Sequence, residues 1–142
     1  MKKYDVNYFI RKFEAIPEEL WCINHQFEPG TGKSCALGYC NPTYRGKSYD
    51  EFISIGNLFG DIKLLKVKPD GNDDQVGRYY SGITLVATIN NGCTQEYQQS
   101  TPKQRILVAL RDIKAKLEPE RIVYVTVDQE VRKLQKEQLI EN

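Results

Sequence analysis

The chain has 142 residues and a mass of 16.4 kDa, with 40% apolar and 27% charged residues, the arithmetic of one ordinary soluble domain. Twenty basic residues against 19 acidic ones leave a net charge of +1, which argues against a nucleic-acid binder working through a strongly basic surface. No run of about 18 apolar residues occurs, and Met1-Lys2-Lys3-Tyr4-Asp5 leads into no apolar stretch, so neither a membrane span nor a secretory leader is expected.

The first helix is predicted to start at Asp5 as N-cap and run to about Ala15. Val6, Phe9, Ile10 and Phe13 recur at three- and four-residue spacing and form one apolar face. Pro17 stops it. The stretch from Glu19 to Gly32 carries Trp21 and Phe27 and reads as a loop packed on the core, its aromatics anchoring it. Pro29-Gly30-Thr31-Gly32-Lys33-Ser34 looks like the end of a phosphate-binding loop. The full pattern needs a glycine at position 27, where Phe27 stands, and no buried strand precedes it. A Gly-rich turn leading into a capped helix is the plainer reading, with Lys33 and Ser34 placed to hold an anion at that helix's N-terminus. Ser34 is the expected N-cap of a short helix over Cys35–Cys40.

Two capping boxes punctuate the rest. Ser48-Tyr49-Asp50-Glu51 opens a helix with Phe52, Ile55 and Phe59 as its stripe and Gly60 at its end. Thr101-Pro102-Lys103-Gln104 opens another, with Ile106, Leu110, Ile113 and Leu117 as its stripe and Pro119 as its stop. Between them, Ile62 to Val67 alternates imperfectly, as a strand or a helix extension. Residues 69–78 read as a mobile loop. Ile83 to Ile89 is β-branched and roughly period-two, and Asn90-Asn91-Gly92 closes it, so a strand is expected there. Ile122 to Val127 is a further extended run. Asp128 then caps a charged helix over 128–142, whose Val131, Leu134, Leu139 and Ile140 find no intramolecular destination and point to self-association. The fold class expected is α+β: one domain of four to five helices packed on a two- or three-stranded sheet.

Four cysteines and the lone histidine are the chemically loaded residues. Without an export signal, small buried hydrophobes are the default for Cys22, Cys35, Cys40 and Cys93. Zinc is the first alternative, through Cys22, His25, Cys35 and Cys40. The ligand types suit it, but the paired knuckle spacing is missing, and Cys35 and Cys40 stand about 140° apart around a helix. A thiol hydrolase is the second, with Cys35 at a helix N-terminus activated by His25, although no third residue orients the pair. The Tyr44-Arg45 pair and the Arg78-Tyr79-Tyr80 run suggest a ligand site completed by Lys33, because arginine grips phosphate while tyrosine stacks on a base. No cofactor is expected.

Three stretches together resemble a group of small uncharacterised bacteriophage and prophage proteins. They are the run from Asn7 to Pro17 continuing to Trp21-Cys22, the run Ser34-Cys35-Ala36-Leu37-Gly38-Tyr39-Cys40, and the run from Tyr97 through Ile106 to Asp112. The resemblance spans about half the chain. It implies an accessory protein acting in a host bacterial cytoplasm, and it carries no activity and no catalytic residue with it. Ile62–Ser81 and the tail after Pro119 fall outside the shared pattern, as additions where specific function is expected. The function expected is therefore a non-enzymatic phage-type protein that binds a host protein or sequesters a small ligand such as a nucleotide. The thiol hydrolase and the zinc-stabilised module stand as alternatives.

Overall fold

The computed structural model describes residues 3–60, 63–67, 73–75, 82–115 and 122–126. In chain order these form α1 (Val6–Glu14), a 3-10 turn (Glu18–Leu20), α2 (Ala36–Cys40), α3 (Tyr49–Phe59), β1 (Lys63–Val67), β2 (Asp73–Gln75), α4 (Gly82–Asn90), α5 (Pro102–Lys114) and β3 (Ile122–Thr126).

Local chemistry accounts for the long helices. The Asp5 carboxylate accepts the Tyr8 N–H at 2.8 Å and starts α1. Ser48 Oγ accepts from the Glu51 N–H, and Thr101 Oγ1 from the Gln104 N–H, as the two capping boxes predict. The reciprocal half of the first box shifts by one residue: Glu51 Oε1 takes the Lys47 N–H at 2.9 Å.

The expected α+β arrangement is corrected here. The body formed by α1–α5 is helical, with no strand running through it, and its helices pack on one another instead of on a sheet. Helix α4 lies against α3, α5 and α2, while α1 lies against α5 and α3. Phe9, Phe13, Ile55, Phe59, Leu85, Ile89, Ile106 and Leu110 are completely buried between them. The three short extended segments pair among themselves, β1 antiparallel to β2 and parallel to β3, in the order β2-β1-β3.

The decisive difference is α4, where a strand was expected. An apolar run of this length has no polar face to reveal its period, so β-branched content alone reads as strand. Burial on several sides decides otherwise: Leu85, Val86 and Ile89 are all fully covered. Thr88 satisfies its hydroxyl within the helix by donating to the Thr84 carbonyl at 2.8 Å. The Asn90-Asn91-Gly92 turn, expected to close a strand, instead ends this helix, with Asn90 as its last residue and Gly92 at φ 71°. Close approach of α3 and α4 demands glycine at position 82, and at position 56 leaves room for the Ile83 side chain. A Cβ on Gly82 would sit 1.5 Å from the Gly56 carbonyl oxygen, and one on Gly56 would meet Ile83 Cδ1 at 2.8 Å.

Ser34 does not cap α2. Cys35 is the N-cap and contributes no side-chain bond. Ser34 instead bridges to Trp21, accepting the Cys22 N–H and donating its own N–H to the Leu20 carbonyl. Of the expected loop over 69–78, Asp73–Gln75 is extended and pairs with β1; its remaining residues and the helix over 128–142 lie outside the described residues.

Candidate functional site

The thiols occupy the space between helices. Cys35 and Cys40 are 4% and 0% exposed, and Cys22 and Cys93 are also buried. Burial raises the Cys35 thiol above its ordinary value, although the N–H groups of Gly38, Leu37 and Cys35 at the start of α2 pull the other way. Burial likewise raises Cys40, against the pull of the Lys12 ammonium. A thiol held protonated by its surroundings is a poor nucleophile, the reverse of the activated Cys35 that a hydrolase needs. Cys22 Sγ reaches the main-chain carbonyl of His25 at 3.4 Å. Among the described residues, no three His, Cys, Asp or Glu side chains converge on a position fit for a metal, so Cys22, His25, Cys35 and Cys40 do not form a ligand set.

The anion position expected at the start of α2 is already taken. The Ala36 N–H donates to Asn90 Oδ1 at 3.1 Å, across 54 residues of sequence. Asn90 is completely buried, and its Nδ2 donates to the Cys22 carbonyl at 3.0 Å and to Asn91 Oδ1 at 3.2 Å. One amide thus holds the end of α4, the start of α2 and the Trp21-Cys22 segment together.

Lys33, Tyr44 and Arg45 come from two loops that are joined. Loop 28–33 closes on itself: the Glu28 N–H donates to the Lys33 carbonyl at 2.8 Å, the Gly32 N–H to the Glu28 carbonyl at 3.1 Å, and Thr31 Oγ1 to Glu28 Oε1 at 2.7 Å. Loop 41–46 closes on Asn41, whose carbonyl accepts the N–H groups of Tyr44 and Gly46. Asn41 Nδ2 donates to Gln26 Oε1 at 2.8 Å and ties the second loop to the first. On this base the Phe27 and Tyr44 rings lie nearly parallel, 7° apart with centroids at 5.8 Å, and the Arg45 guanidinium carbon lies 5.7 Å from the Phe27 centroid. Gly32, at φ 73°, leaves room for the guanidinium, since a Cβ there would lie 2.9 Å from Arg45 Nη2. Tyr44 remains 46% exposed. Arg78 and Tyr79 lie outside the described residues.

Two buried charges escape sequence reasoning. Glu51, read as half of a capping box, is fully buried; its Oε2 accepts from Lys12 Nζ at 2.8 Å and from the Tyr8 hydroxyl. Lys12 also donates to the Tyr39 carbonyl. Arg105, 7% exposed, donates to the Ile89, Asn90 and Gln99 carbonyls at 3.2, 2.7 and 2.8 Å and binds the C-terminal end of α4. Nothing in the local sequence announces either, because each partner sits on another element.

Comparison with protein-family models, curated proteins and solved structures finds no match for this chain. Among the described residues no helix is long and apolar enough to cross a membrane.

Proposed function

We propose that this chain is a non-enzymatic, phage-type accessory protein that works in a bacterial cytoplasm by binding, and that its ligand is a small molecule with a planar ring and an anionic group, a nucleotide being the nearest example. The observation that carries the reading is the platform of Tyr44, Arg45 and Phe27. An exposed tyrosine ring and a guanidinium are fixed side by side on two cross-tied loops, with Lys33 closing the first of them. A ring stacks on tyrosine, and a guanidinium offers paired donors to phosphate. Fixing the loops beforehand lowers the ordering cost of binding.

The thiol-hydrolase alternative draws no support from a Cys35 that burial keeps protonated. A host protein as the ligand is a second reading, favoured by Tyr49 and Ile53, one turn apart on α3 and 66% and 41% exposed.

Thermal shift across a panel of mono-, di- and cyclic nucleotides tests the first reading. Binding raises the melting temperature of the parent, while Tyr44→Ala and Arg45→Ala, both at exposed positions, melt like the parent without ligand and lose the shift. A panel without any shift removes the small-molecule version and leaves the host protein.

A further inference from the structure

A second site, separate in residues and different in chemistry, lies beside α4. Helix α4, α2 and the segments after Trp21 and Asn90 line a half-open cleft of about 270 Å³. Sites for drug-sized ligands run from about 300 Å³ upward, so this one suits a fragment-sized molecule.

Among the described residues, its lining has no charged side chain. Leu37 from α2, with Ile83 and Ala87 from α4, supplies an apolar wall. The polar groups are the amides of Asn24 and Asn91, the hydroxyls of Thr84 and Thr88 along α4, and the Cys93 thiol. The wall is built in advance. Asn24 adopts the left-handed conformation, φ 65°, and its N–H is held by Asn91 Oδ1 at 2.9 Å. That same oxygen takes a bond from the buried Asn90 amide, so the rim is continuous with the cluster that caps α2. Thr88, which lines the cleft, gives its hydroxyl proton to the Thr84 carbonyl, so that oxygen has only acceptor capacity left.

We infer that this cleft binds an uncharged, fragment-sized molecule bearing an amide or hydroxyl donor. The apolar wall receives its carbon skeleton and Thr88 Oγ1 accepts from its donor. An ionised ligand is disfavoured, because the described lining offers no countercharge for the hydration that the ligand would lose.

Three isosteric probes separate the outcomes: benzamide, benzoate and benzamidinium. Titration of the full chain with each, followed by NMR, is expected to give saturable benzamide shifts centred on Leu37, Ile83, Thr84 and Ala87. Both ions should bind about tenfold more weakly or worse. Ala87→Phe, which fills the cleft, abolishes the response. Thr88→Val keeps the shape and removes the acceptor, and it weakens benzamide by about tenfold even if Ala87→Phe fails to fold. Absence of saturable shifts at these residues, or equal binding of an ion, overturns the assignment. Nucleotide binding at Tyr44 and Arg45 is read from different resonances, so either site can fail without the other.

Discussion

Glu51 sits where no water reaches it, and its partners arrive from α1 and from the residue before its own cap. Removing one member of a buried ion pair strands the other. Glu51→Gln is expected to cost about 3–5 kcal/mol, seen as a lower urea midpoint. The double variant Glu51→Gln with Lys12→Met recovers most of it, since no ammonium is then left without its counterion. The capping box made Glu51 legible at sequence level as a helix starter, and that role is real. Its second role was hidden because Lys12 stands 39 positions away and only the packing of α1 against α3 brings it near. Tyr44 and Arg45 were legible as a pair; their footing on Phe27 and Gly32 was not, since it depends on how two loops close.

At the scale of elements, stop signals and caps proved the most readable features. Asp5, Ser48 and Thr101 are polar caps whose partners lie three residues on, so short-range chemistry decides them. Helix α4 was misread for the complementary reason: its conformation is imposed by neighbours on several faces. The same crowding makes Gly82 intolerant of change. Gly82→Ala places a methyl against the α3 backbone, which cannot yield as a side chain would. A loss of about 3 kcal/mol is expected in denaturant unfolding, against a few tenths for an alanine at an exposed helical site such as Asn57.

For the molecule as a whole, the buried thiols of Cys35 and Cys40 and the half-buried Tyr8 phenol set a limit at high pH. Cys35, Cys40 and Tyr8 all have folded values above their unfolded ones, near 9.0 for the thiols and 10.0 for tyrosine, with burial the largest cause in each. The native state keeps these protons while the unfolded chain gives them up. Their contribution is therefore complete below about pH 9 and is lost as pH rises beyond it. Urea midpoints should fall from pH 9 upward, first through the thiols and then through Tyr8. Cys40→Ala should lower the midpoint at neutral pH but make its decline above pH 9 shallower. Iodoacetamide should label all four cysteines slowly in the native protein at pH 7.5 and rapidly in urea.

The Asn90 amide has a consequence for shortened chains. Five-residue α2 receives its stabilising bond from a side chain 54 positions further on, and the Cys22 carbonyl waits on the same group. The first sixty residues alone therefore lack α4, which packs on α3 and α2, and α5, which packs on α1. A polypeptide ending between α3 and α4 is therefore expected to be cut quickly in limited proteolysis, while the full chain resists.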